Sequence, residues 1–399
     1  MPLPPPHSRR WFLRGAALTV LGAACTGPGD GPTDGTDGTD STDDTDLPPC
    51  PDPLSGGTLL ATLPFDGEDD QAVGQQEGEE LNGRLAFDHS ALDADSLITP
   101  TADFFIRTLP PRSLPSAEGW QIQVEGLAAA TSLAVADLLD DVEDQGVLLM
   151  ECSGNRENRH FGLMSAAQWA GVPLQAVLDR LDLDANATSV EVSGYDEHVV
   201  PSSSGAGCSW IFTIDQLLDA GAFLATEMNG APLPVEHGAP IRLMVPGWYG
   251  CTCAKWLNRL RFTDDAQPAT SQMLEFASRT HQPTNARLAS DFRPARMQVS
   301  AMPIRVEQWD VDGAIRYRIV GIVWGGDAPV QRLELRTEAS GDWEEVEICP
   351  EPTSSRTWTL WQAVWDPQRS GRHILELRAP DDDSIRLELG WYARAVTVA

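Results

Sequence analysis

The sequence predicts an α+β domain followed by an all-β sandwich, and three observations carry that expectation. Between about Gly57 and Thr263, short strand-like runs mix with helical stretches without regular alternation, which argues against a doubly wound sheet. Beyond about Ala295, closely spaced strand-like runs are separated by Gly, Asp, Pro and Ser, and no helical period interrupts them. At 399 residues and 42% hydrophobic content, the chain has material for two cores.

Charge and cysteine count exclude several classes. A formal net charge of -31 and a pI near 4.4 argue against nucleic acid or an anionic membrane surface as partner, and suit a basic protein partner instead. Positive charge is almost all arginine, and Lys255 is the single lysine. Seven cysteines are too sparse for a disulfide-built scaffold. The chain has no Cys-x-x-Cys-His for covalent haem, and neither zinc spacings nor a Gly-x-Gly-x-x-Gly fingerprint stands out.

Residues 1–25 read as an export signal. Arg9-Arg10 precede Phe12-Leu13 in the manner of a twin-arginine signal, and an apolar run leads to Leu21-Gly22-Ala23-Ala24-Cys25. Cys25 resembles a lipoprotein processing site, with simple cleavage after the small residues as the alternative. Residues 26–56 are rich in Asp, Gly and Thr and offer no apolar face to bury, so they are expected to form a disordered tether. A calcium loop would need a closing bidentate Glu that the register lacks. These features lead us to expect a periplasmic protein, exported by the twin-arginine pathway, whose membrane contact is confined to an N-terminal lipid.

A first domain is expected over 57–280. Trp120–Val124 alternates apolar and polar residues as a half-buried strand does, and Val147–Glu151 reads as a buried strand. Trp169-Ala-Gly-Val-Pro-Leu is expected to open a helix with Pro173 near its first turn and Leu174, Val177, Leu178 and Leu181 on one face. Ser189–Val192 and Ile241–Val245 read as strands, and Ile214–Leu218 as a short helix. A polar segment, about Asp264–Phe292, leads to the second domain over 290–399. There Arg316–Trp324, Val330–Glu338, Trp343–Cys349, Thr357–Trp365, Arg372–Arg378 and Ile385–Leu389 have the spacing of an immunoglobulin-like sandwich.

Three segments carry chemistry. In Val147–Arg156 an apolar strand ends at Cys152, and Ser153-Gly154-Asn155 turns the chain away, so a thiol sits on rigid structure with one side open. In Phe104–Pro110 a strand-like run ends at Arg107. In His237–Gly247, continuing to Lys255-Trp256-Leu257, His237, Arg242 and Lys255 flank a strand with Gly/Pro loops at both ends. A thiolate with several cations and glycine-rich loops suits a soft metal with an anionic, phosphate-bearing cofactor. Each piece also has a plain structural reading: Arg107 as a carboxylate's partner, His237 as a core histidine, Lys255 resting its stem on Trp256, Cys152 as an inert buried thiol.

Taken in order, Phe-Phe-Ile-Arg, Cys-Ser-Gly-Asn-Arg, Trp-Ala-Gly-Val-Pro-Leu, Met-Asn-Gly-x-Pro-Leu-Pro-x-x-His-Gly-x-Pro-Ile-Arg-Leu-x-Val-Pro-Gly and Lys-Trp-Leu resemble the sulfite oxidase family of molybdopterin enzymes, over roughly residues 95–262. The β-rich tail resembles that family's dimerisation domain. The resemblance implies one molybdenum–molybdopterin per chain, with Cys152 as the metal's thiolate ligand. It also implies that His237, Arg242 and Lys255 bind the pterin and its phosphate, that Cys253 and Ala254 line that loop, and that Arg107 and Arg156 serve the substrate. Sulfite oxidases carry a second arginine where Glu157 stands here, so Arg159 and His160 are the candidates for the displaced charge. A pocket tryptophan between Asn155 and Trp169 and a tyrosine within Ser271–Gln282 have no counterpart either. For the remaining cysteines, Cys208 with Cys251 or Cys253, and Cys50 with Cys349, are bridges an exported protein permits, with buried thiols as the alternative.

The expected function is oxidation of sulfite or a related small sulfur oxyanion by oxygen-atom transfer. Electrons would pass to an external acceptor such as a c-type cytochrome, from a homodimer. The alternatives are reduction of an S-oxide such as methionine sulfoxide with the same cofactor, or an inactive tethered binding protein.

Overall fold

The computed structural model of the chain describes residues 50–68, 73–78, 81, 83–107, 111–196, 209–264, 267–270, 272–274, 276, 294–381 and 391–399. All belong to one unit, Leu47–Ala399. The export signal, most of the tether, Cys25, Cys208 and the Ile385–Leu389 run lie outside the described residues.

Two sheets build the part that carries the chemistry. The first runs Arg242–Met244, Phe223–Met228, Met164–Pro173, Glu143–Glu151, all antiparallel, with Ala231–Pro232 added beside Phe223–Met228. The second runs Thr131–Ala134, Gln121–Gly126, Leu257–Thr263, Ser189–Gly194, Trp210–Thr213, with a parallel pairing between Gln121–Gly126 and Leu257–Thr263. The helix expected to open at Trp169 is shorter. Trp169–Pro173 stay in the strand, where Trp169 lies opposite Met228, and Pro173 caps a helix of only Leu174–Leu178. Proline tolerates that boundary because its missing N–H falls among the unpaired donors of a helix start. Leu174, Val177 and Leu178 are buried as their spacing requires, and Leu181 packs just past the helix end. The expected short helix spans Ile214–Ala220, with a capping box between Thr213 and Gln216.

The tail packs as two sheets. One runs Thr58–Leu63, Ser300–Val311, Ala314–Trp324, Thr359–Trp365, Glu347–Ile348, and the other Glu344–Glu345, Glu334–Arg336, Gly371–Arg378, Arg394–Val398. Thr58–Leu63, expected in the first domain, therefore belongs to the tail, paired antiparallel with Ser300–Val311. The tether also ends sooner than residue 56, since Cys50 is bridged to Cys349 and Leu54 is buried.

The central hairpin of the tail is buried on both faces. Ile319 and Val323 point into the core between the two tail sheets, whereas Val320, Ile322 and Trp324 join the core of the first part. This period-2 division explains why Ile-Val-Gly-Ile-Val-Trp is apolar without a break. Gly321 completes the inward row, where an added Cβ would come within 2.2 Å of the Trp361 ring.

Candidate active site

The strand Glu143–Glu151 delivers Cys152. Its ladder continues one residue further, with Cys152 N–H donating to Leu163 O at 2.9 Å. A tight turn follows in which Asn155 N–H donates to Cys152 O at 2.9 Å, and Gly154 N–H points at Cys152 Sγ at 3.4 Å. Asn155, fully buried, accepts from Leu163 N–H and fixes the far side of the turn. Cys152 itself is partly exposed. The thiol is thus held rigidly with one side open, as the sequence suggests.

The second segment gathers beside this strand. Gly250 lies against its end, with an added Cβ 3.1 Å from Met150 Cγ and 3.3 Å from Glu151 O. Arg242 is buried; it donates to His237 O at 2.8 Å and Cys253 O at 3.1 Å, and its Nη2 lies 3.5 Å from Met150 Sδ. Lys255 donates to Glu236 O at 2.6 Å, and Trp256 Nε1 to Val235 O at 2.8 Å. Gly238, at φ 113°, closes the turn that carries His237, and a Cβ there would meet Lys255 and Arg242 at 3.1 and 3.2 Å. No larger residue allows the turn to pass so close to both cations. Burial, then the charges of Lys255 and Arg242, lowers the His237 pKa to about 3, so the imidazole is neutral. Its ring stands edge-on to Phe104. Cys253 and Ala254 are buried in the same loop, and burial pushes the Cys253 thiol up, so it stays protonated.

This donor set fits an anionic cofactor. Arg242 and Lys255 are buried side by side against the turn that Gly238 closes, and hydrogen bonds to His237 O, Cys253 O and Glu236 O hold them there. Two cations held together in this way suit a phosphate, and a neutral histidine beside them can donate or accept. Among the described residues no group of three His, Cys, Asp or Glu side chains is placed to hold a metal by itself.

The Phe104–Arg107 run differs from a strand. Phe104 and Phe105 are buried and stacked at 5.3 Å, Phe105 N–H donates to Ser165 Oγ, and only Ile106 forms a bridge, to Leu85. That bridge sets Arg84 beside Arg107. Glu77 pairs with Arg84 through the backbone and approaches Arg159 through its carboxylate at 3.8 Å. Burial and the nearby charges of Arg107 and Arg159 hold the Arg84 pKa below its ordinary value. Arg84, which no motif marked, therefore joins Arg107 and Arg159 in one cationic cluster. His160 instead pairs with Glu68 at 3.2 Å. Arg156 is exposed, and its carbonyl accepts from Phe161 N–H.

Glu151 escaped sequence reasoning too. It is wholly buried and takes hydrogen bonds from Trp324 Nε1 at 3.0 Å and from the Tyr392 hydroxyl. An acid closing the apolar run Val147–Met150 was the available signal. Of the cysteine pairings, Cys50–Cys349 is present, whereas the Cys208 pairings lie outside the described residues.

The chain is similar to known molybdopterin-dependent proteins. Residues 109–271 match the family described as "Oxidoreductase molybdopterin binding domain", a stretch that contains Cys152, His237, Arg242 and Lys255. Mitochondrial sulfite oxidase of Macaca fascicularis is 26% identical over 314 residues, covering 72% of this chain and 57% of that protein. The Mus musculus protein is 27% identical over 296 residues, covering 67% and 53%. The inducible nitrate reductase [NADH] 1 of Glycine max is 25% identical over 311 residues, covering 66% and 34%. The chain thus spans about half the length of the sulfite oxidases it matches. The sulfane dehydrogenase SoxCD structure from Paracoccus pantotrophus shares the fold, with a TM-score of 0.56, 19% identity and 84% and 85% of the two chains covered. The motifs, the thiol and the cation cradle thus lie within or beside a molybdopterin-binding oxidoreductase domain over residues 109–271, and the chain is similar to sulfite oxidases.

Proposed function

We propose that the protein oxidises sulfite or a related small sulfur oxyanion and passes the electrons to an external acceptor. The observation that supports this reading is the gathering of three arginines around one carboxylate: Arg84 beside Arg107 across the Leu85–Ile106 bridge, and Arg159 with Glu77 next to them, a net positive group that suits a small anion. Overall, sulfite and water would give sulfate, two protons and two electrons. When bound, the molybdenum–pterin group supplies the oxygen-atom transfer, and the chain's residues bind and orient. Cys152 would ligate the metal, and Arg242, Lys255 and His237 would hold the pterin phosphate while Cys253 and Ala254 line its loop. Arg107 and Arg159 would draw in the anion, with Arg84 behind them, and exposed Arg156 would extend the positive entry. Glu157 removes one charge at the position that follows, and Arg159 restores it two residues later.

The acidic chain, at -31, would steer a basic acceptor such as a c-type cytochrome toward it. Export by the twin-arginine pathway to the periplasm, a lipid on Cys25, and a homodimer built through an immunoglobulin-like tail complete the proposal. Its test is metal analysis of purified protein, followed by sulfite-dependent reduction of cytochrome c or ferricyanide, with methionine sulfoxide and nitrate plus reduced dye as controls. Bound molybdenum with sulfite turnover is the expected result. Turnover of either control without sulfite activity would overturn the substrate, and molybdenum-free folded protein would overturn the cofactor.

A further inference from the structure

Glu151 is an acid at the buried end of a strand. Its neighbours Leu148, Leu149 and Met150 are all buried, and two donors face it that only a side chain with acceptors can meet. A fully buried carboxyl costs several kcal/mol unless its oxygens are bonded. Here each oxygen receives a donor from the tail, Trp324 Nε1–H at 3.0 Å on one and the Tyr392 hydroxyl on the other. These donors lie 173 and 241 residues downstream in sequence. They are held in their turn. The two rings meet edge-on at 5.0 Å, and Tyr392 also packs at 5.0 Å on Phe161, in the loop that follows the cysteine turn. A second tie comes from the same segment, where Trp391 Nε1 reaches Asn155 O at 3.4 Å, at the other end of the Cys152–Asn155 turn.

The consequence for Cys152 follows from strand geometry. Successive side chains of an extended chain point to opposite faces, and the ladder bond from Cys152 N–H to Leu163 O carries that alternation through the cysteine. Fixing Glu151 against the tail therefore fixes the direction in which Cys152 Sγ leaves the opposite face. An apolar side chain at 151 would pack but would not resist rotation or sliding. A carboxyl gripped from two directions does.

We propose that Glu151, gripped by Trp324 and Tyr392, is the positioning residue for the Cys152 thiolate, so that the tail takes part in setting the metal's ligand geometry. The inference rests on the molybdenum–pterin reading. The test is to purify wild type, Tyr392→Phe and Glu151→Gln, measure molybdenum content, and record the Mo(V) paramagnetic resonance spectrum after partial chemical reduction, which needs no substrate. Tyr392→Phe should keep its molybdenum but show shifted or split g-values, with kcat lowered about tenfold and KM unchanged. Glu151→Gln should retain the wild-type spectrum, because its amide oxygen can accept from Trp324 and its NH2 can donate to the Tyr392 oxygen. Should Tyr392→Phe not yield folded protein, the same measurements on Trp324→Phe decide. A wild-type spectrum and kcat in the Phe variant, with only the melting temperature lowered, would overturn the proposal by reducing the contact to packing. Wild-type protein without molybdenum would instead overturn the cofactor reading on which the proposal stands.

Discussion

Take the protein without its cofactor from pH 7 to pH 5, and two buried histidines oppose the change. Burial is the main cause at both His89 and His237, aided by the nearby Arg394 charge at the first and by Lys255 and Arg242 at the second. Each pKa lies at about 3, against 6.5 for the ordinary side chain. The unfolded chain therefore takes up these protons first, so stability is lost as the pH falls below 6.5 and continues to fall toward 3. At about 1.36 kcal/mol per pH unit, each histidine costs roughly 2 kcal/mol at pH 5. The assay is urea denaturation at pH 7, 6 and 5 of wild type and His237→Asn, a comparison that cancels what the acidic surface contributes. Wild type should lose about 2 kcal/mol more than the variant over this range. Binding the cofactor should shrink that difference, because a phosphate beside Lys255 and Arg242 offsets the two charges that help keep His237 neutral. Equal pH dependence of cofactor-free wild type and variant would refute the argument.

Three further outcomes are expected. Cys152→Ser should fold with an unchanged melting temperature, lose sulfite oxidation and bind less molybdenum, as metal analysis and dye reduction would report. Arg159→Gln should raise KM for sulfite about fivefold with kcat little changed and weaken its dependence on ionic strength, since one charge near the anion is worth roughly 1 kcal/mol at a half-exposed position. An unaltered KM would remove Arg159 from the substrate's surroundings. Gly321→Ala should lower stability by about 1–3 kcal/mol in thermal or urea melts, because the new methyl group would lie 2.2 Å from the Trp361 ring and 2.4 Å from Met302 O.

The motif-bearing turns were legible in the sequence because their residue types are dictated locally. Gly238 must pass close to two cations, Cys152 needs small residues behind it, and Arg242 and Lys255 share one strand-and-loop unit. What depends on pairing between distant segments was not legible. Arg84 reaches Arg107 only through the Leu85–Ile106 bridge, and Thr58–Leu63 finds its partner strand more than 200 residues away, so neither is marked by spacing or composition. The Trp169 segment misled for a related reason. Its small and apolar residues suit either a helix or a strand between two others, and the neighbours Glu143–Glu151 and Phe223–Met228 decided for the strand.

The grip on Glu151 also orders events during synthesis. Its donors are made 173 and 241 residues after it, which at roughly 5–20 residues per second means that the cysteine strand waits some tens of seconds on the ribosome before Tyr392 exists. Over that interval the residues of the proposed pterin cradle, the last of them Lys255, are already made while the proposed anchor of the thiol is not. On that proposal, the metal centre would take its final geometry only after translation has reached the tail, and a chain halted between Lys255 and Tyr392 would carry the cradle without the anchor.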